Sequence, residues 1–175
     1  MLKFFIRALL LLLCVVLVFM AVGYFLPRDY QIESTIFIEA PPAEVFALVD
    51  SLPNWREWSN FNESRIPGLK IEYGEVRTGK GAAKTWTDVR GHGKLWITNS
   101  QPDSLVEYDL DFGDFPTMTS KIEFAVAKGG TSVHWKSEGS LPSGPFYGYT
   151  GLLFPTHMTY QYEQDLVRLK QLAEQ

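Results

Sequence analysis

Residues 30–50 read YQIESTIFIEAPPAEVFALVD. Ile32, Ser34, Ile36 and Ile38 alternate with Glu33, Thr35, Phe37 and Glu39, a β-branched pattern of period two that predicts a strand over 30–39 with one face buried. Ala40-Pro41-Pro42-Ala43-Glu44 then stops the strand and opens a short helix, because proline is tolerated in a first helical turn and Glu44 suits the positive end of the helix dipole. Val45, Phe46, Leu48 and Val49 supply the apolar face of that helix. Leu52-Pro53-Asn54-Trp55-Arg56-Glu57-Trp58 predicts a second helical turn, with Trp55 and Trp58 on one side.

Downstream, Pro67-Gly68 opens a meander. Strands are predicted over 69–73, 84–89, 94–99, 106–112, 121–127 and 131–137. They are divided by Gly74 and Gly79-Lys80-Gly81, by Gly91-His92-Gly93, by Gln101-Pro102-Asp103 and by a Gly129-Gly130 hairpin turn. Val106, Tyr108, Leu110 and Phe112 alternate with Glu107, Asp109 and Asp111, the pattern of an antiparallel sheet covered on one side. Residues 141–155 read as a Gly/Pro-rich loop. Beyond it Met158, Tyr162, Leu166, Leu169 and Ala173 form the apolar stripe of a long helix, with Gln161, Glu163, Gln164, Arg168 and Lys170 opposite. The class is α+β: a curved seven-stranded antiparallel sheet wrapped around a long C-terminal helix, with two short helices after the first strand.

Upstream, Lys3 and Arg7 precede an uncharged apolar run of 19 residues, 8–26. As a helix it is about 28 Å long, close to the roughly 30 Å of a bilayer's hydrocarbon core. Residues 1–27 are therefore read as a membrane anchor and 28–175 as one domain. The flanking cations predict a cytoplasmic N-terminus and a domain on the far side, periplasmic or extracellular. A cleaved signal peptide competes, with Ala21-Val22-Gly23 as the small-residue site, but the apolar run exceeds the usual ~7–15 residues. Cys14, the single cysteine, excludes an internal disulfide and reads as a small buried hydrophobe. Without Lys3 and Arg7 the chain carries 14 basic against 20 acidic residues, which argues against nucleic acid and against adhesion to anionic lipid.

The segments Tyr30-Gln31-Ile32-Glu33-Ser34 and Ile38 to Phe46, followed by Asp50 and Trp55-Arg56-Glu57-Trp58-Ser59, resemble the start of SRPBCC-superfamily domains. That superfamily has the START-like helix-grip fold and is often described as polyketide cyclase/dehydrase and lipid transport. Gly79-Lys80-Gly81 before Trp86, Gly91 to Ile97, Gly130 to Trp135 and Leu166 to Lys170 extend the resemblance to about 30–172. It implies a cavity between the concave sheet and the last helix that receives an apolar ligand. Trp86, Trp96, Trp135, Tyr73, Tyr108, Phe124 and Tyr162 lie on the cavity-forming elements. The ligand-cavity candidates are Trp86, Tyr108, Phe124, Trp135, His157, Met158 and Tyr162, since aromatics offer apolar area with a polar handle.

The chemistry inventory is thin. His92, His134 and His157 match no local metal-ligand spacing, so neither a metal nor a cofactor is expected. His92 and His134 read as solvent-facing. Asp109-Leu110-Asp111-Phe112-Gly113-Asp114 lacks the spacing of an EF-hand and reads as the solvated strand face, with Asp114 in the turn. Two functional classes follow. The first is a non-catalytic, membrane-anchored module for a lipid-like apolar molecule; the alternative is a small cyclase, hydratase or isomerase using Asp88, His157 or Glu57 for proton transfer. A domain that fills its centre with its own rings is a third, structural possibility.

Overall fold

The computed structural model describes residues 1–89, 91–113 and 115–175. Helix α1 (Leu2–Phe25) is followed by β1 (Asp29–Ile38), α2 (Pro42–Asp50), a 3-10 turn (Leu52–Asn54) and α3 (Trp55–Trp58). The meander comprises β2 (Lys70–Tyr73), β3 (Ala83–Asp88), β4 (Gly91–Gln101), β5 (Leu105–Asp111), β6 (Met118–Ala127) and β7 (Gly130–Ser140), and helix α4 (Pro145–Ala173) closes the chain. The seven strands form one antiparallel sheet in the order β1-β7-β6-β5-β4-β3-β2. Pairing β1 with β7 places first and last strands side by side, and the apolar face so assembled wraps α4. The fold is the α+β helix-grip architecture expected.

The core follows the alternations. Ile32 and Ile38 from β1, Leu95 and Ile97 from β4, Val106 and Tyr108 from β5, and Val133 and Trp135 from β7 are buried against Tyr162, Leu166 and Leu169 of α4. Val45, Phe46 and Val49 seat α2 on the same core, with Trp55 and Trp58 from α3 beside them. At roughly 1.5–3 kcal/mol for each large apolar side chain withdrawn from water, this face strongly favours a sheet curled around α4.

Two local expectations are overturned. Residues 141–155 are not a loop throughout: α4 begins at Pro145 and runs through Pro155. Proline at the first helical position has no hydrogen bond to lose, and the added turns pack on α1. A Cβ on Gly148 would lie 2.1 Å from the Gly23 carbonyl oxygen, and one on Gly23 would lie 2.0 Å from that of Pro145. Only glycine lets the two backbones approach so closely. The Tyr149 ring stacks on Phe19 at 4.1 Å and its hydroxyl donates to the Phe19 carbonyl at 2.8 Å. Gly91-His92-Gly93 is not a turn between strands but the start of β4, where Gly93 faces Trp86 across the ladder. A Cβ there would meet Trp86 Cζ2 at 2.2 Å, so the glycine makes room for the indole. Cys14 lies on the exposed surface of α1, midway along the apolar helix. Asp114 lies outside the described residues.

Candidate functional site

Between the concave sheet and α4 lies a cavity of about 560 Å3, within the roughly 300–1,000 Å3 of pockets that enclose small-molecule ligands. Its deep wall is aromatic. Trp135 and Tyr162 stack at 3.9 Å with planes 11° apart, and Trp55 meets Tyr108 edge-on at 5.2 Å. The polar tips of these rings are consumed within the wall. Trp135 Nε1 donates to the Tyr108 hydroxyl at 2.8 Å, and Trp55 Nε1 donates to the Val49 carbonyl at 2.6 Å. The Tyr162 hydroxyl and Ser137 Oγ are 2.7 Å apart, and Ser137 and Ser120 share a bond of 2.6 Å. Burial pushes the Tyr162 hydroxyl up to about 12 and holds that of Tyr108 well above its ordinary value. Both phenols are neutral at any physiological pH, so the rings present the cavity with apolar surface.

The outer part is lined by Phe61, Phe112, Phe115, His92, His157 and Met158. Phe61 and Phe112 flank Trp86 edge-on at 5.1 and 5.6 Å, and Phe115 meets Tyr147 of α4 at 6.0 Å. Phe112, Phe115 and His157 are exposed, which makes this the mouth.

Six of the residues singled out from sequence, Trp86, Tyr108, Trp135, His157, Met158 and Tyr162, lie in the cavity wall. Phe124 does not: it packs edge-on against Phe46 at 5.8 Å, beneath α2, because its position on β6 falls under that helix. Trp96 faces the outer side of the sheet beside Lys94, one residue out of phase with Leu95 and Ile97. Among the proton-transfer candidates, Asp88 and His157 line the cavity, whereas Glu57 is exposed beside Arg56. His134 sits on the outer face between Glu33 and Glu123. Among the described residues no group of three His, Cys, Asp or Glu side chains could hold a metal ion.

Two charged residues that no sequence motif marks turn inward. Lys84 on β3 is 3% exposed and lines the cavity, with its Nζ 4.8 Å from the centre of the Trp55 ring. Burial lowers its ammonium to about 8, against the pull of the Asp165 carboxylate. Asp165 on α4 accepts from the Asn60 backbone N–H at 2.8 Å, from Ser59 Oγ at 3.4 Å and from Arg168 Nη2. Burial raises its carboxyl to about 6 despite these donors. Arg168 also donates to the Trp58 carbonyl at 2.8 Å, and Gln161 accepts from Asn60 Nδ2 at 2.9 Å. Neither Gln161 nor Arg168 therefore lies on a free outer face of α4, because the segment after α3 packs along that flank. The signal for Lys84 was present: it stands two residues before Trp86 and shares its strand face.

The sequence matches the family described as "Polyketide cyclase / dehydrase and lipid transport" over residues 30–174. No curated protein matches it. Similar solved structures include a protein of unknown function from Staphylococcus aureus (12% identity, 85% of this chain and 95% of that one, TM-score 0.67). A protein from Chromobacterium violaceum aligns at 17% identity over 83% of this chain and 97% of that one, with a TM-score of 0.61. The di-domain ARO/CYC protein BexL from the BE-7585A biosynthetic pathway aligns over 85% of this chain and 51% of its own length, at 16% identity and a TM-score of 0.63. Identities this low speak for the fold alone. With the family matched across the whole domain and the helix-grip sheet in place, the chain belongs to the polyketide cyclase / dehydrase and lipid transport family.

Proposed function

We propose that the protein is a membrane-tethered binding module that takes a lipid-like apolar molecule into the cavity between sheet and α4, without transforming it. The observation that carries this reading is the cavity itself: about 560 Å3, walled by rings whose polar tips are already bonded within the protein. Such a wall rewards an apolar occupant and offers water few partners.

Helix α1 is long and apolar enough to cross a membrane, and Lys3 and Arg7 favour a cytoplasmic N-terminus with the domain on the far side. The contact with α4 gives the tether a direction. Phe19, against which Tyr149 stacks, lies six residues before the end of α1, or about 9 Å along the helix axis. With α1 in the bilayer, the first turns of α4 sit at the interface. That stretch suits the position: residues 146–162 contain no Asp, Glu, Lys or Arg, and Phe146, Leu152 and Leu153 are exposed. Phe115 of the cavity mouth leans on Tyr147 of the same helix. The mouth would then open beside the lipid surface, where the effective concentration of a membrane-derived ligand is highest.

The test is native mass spectrometry of the full chain released from nanodiscs, followed by solvent extraction. An apolar molecule bound at near one per chain supports the reading; no bound mass, together with no uptake of added long-chain acids or esters, refutes it. The second reading, a cyclase, hydratase or isomerase, is favoured by Asp88 and His157 in the cavity wall. A recovered ligand that changes chemically on incubation with the protein decides for it.

A further inference from the structure

Lys84 is the odd residue of the cavity. An aliphatic cation withdrawn from water is costly unless something compensates it. Asp165 does so only at a distance, because its carboxylate is already occupied by Arg168, the Asn60 N–H and Ser59. Among the described residues no hydrogen bond or ion pair reaches Lys84 Nζ; its close neighbour is the face of Trp55. No buried side-chain nitrogen or oxygen among these residues is sealed away without a partner. The ammonium therefore reaches the cavity space itself, with three donors to offer. Arg168, the other cation nearby, is spent on Asp165 and the Trp58 carbonyl. The cavity thus combines apolar walls with one uncommitted positive charge.

Resting on the binding-module reading above, we propose that the ligand is an apolar monocarboxylate, with its hydrocarbon or aromatic body among Trp86, Trp135 and Tyr162 and its carboxylate paired with Lys84. A single charge matches a single ammonium, whereas a phosphate group would leave part of its charge unpaired in a low-dielectric site. The chemistry has two sources, an aliphatic acid drawn from the bilayer and an aromatic acid from solution, and the test separates them.

All five tryptophans lie in the domain, and Trp55, Trp86 and Trp135 line the cavity, so brominated ligands report on occupancy by quenching. The full chain in nanodiscs is titrated at pH 7 with 11-bromoundecanoic acid and with 6-bromo-2-naphthoic acid, each against its methyl ester. We expect the acid of at least one pair to bind roughly tenfold or more tighter than its ester, the scale of a charge-assisted hydrogen bond. In K84M that preference falls about tenfold relative to the wild type while the ester still binds. Comparing the same acid and ester in the two proteins cancels their different partition into the nanodisc. The pair with the larger preference identifies the source. An acid-to-ester preference that is the same in the wild type and in K84M overturns the assignment and leaves the binding module standing. Failure of every acid and every ester to quench overturns both readings.

Discussion

Replacing Lys84 by methionine should make the protein more stable. Lys84 releases its proton at about 8 in the folded protein instead of at 10.5. At 1.36 kcal/mol per pH unit, its charged form costs about 3 kcal/mol at pH 7. The face of Trp55, 4.8 Å from Nζ, returns about 1 kcal/mol. Methionine has similar length and no charge, so the net gain expected for K84M is about 2 kcal/mol, or a Tm about 4–8 °C higher for a domain of this size. The pH dependence carries the sharper signature. Between pH 8 and 10.5 the unfolded wild type holds the proton that the folded form has released, so wild-type stability rises with pH across this window relative to the variant. Asp165, at about 6, is ionised throughout it. The difference between the two proteins should therefore be largest below pH 8 and shrink towards pH 10.5. Thermal unfolding of both full chains in nanodiscs, followed by circular dichroism from pH 7 to 10.5, measures it. A variant less stable than wild type at pH 7, or a gap that stays flat with pH, refutes the account of Lys84 as a desolvated cation.

Three further outcomes follow from the contacts described. D165A strips Arg168 of its carboxylate and leaves the Asn60 N–H unanswered; denaturant titration should show a loss of about 3 kcal/mol, and D165N a smaller one. G93V forces a side chain into the indole of Trp86 and onto the Asp111 carbonyl, 2.5 Å from the ideal Cβ. It should cost about 2 kcal/mol and alter the near-UV dichroism of the aromatic wall. G148V drives its side chain into the Gly23 backbone; hydrogen exchange of residues 145–154 should accelerate while the amides of β5 to β7 keep their protection.

The strands, the two short helices and the second half of α4 were legible in the sequence because each carries its own periodicity. Ile32 to Ile38 and Val106 to Phe112 alternate cleanly, and Met158 to Ala173 repeats at helical spacing. The first half of α4 was not legible. Gly144, Pro145, Gly148, Gly151 and Pro155 read locally as loop residues, yet Gly148 is what lets α4 lie against Gly23 of α1. The strand faces of β3, β4 and β7 were likewise ambiguous, since Lys84, Trp86, Lys94 and Trp96 all stand among polar neighbours.

The amino-acid sequence by itself determined the architecture, the apolar N-terminal helix and the aromatic wealth of the cavity-forming elements, because these depend on short-range pattern and composition. Only the tertiary structure decided that the centre is open, that Phe124 lies outside it and that Lys84 and Asp165 turn inward. Those outcomes depend on which residues from distant strands meet across the sheet. A packed ring and a lining ring have the same sequence signature; the difference is whether another side chain fills the space in front of it.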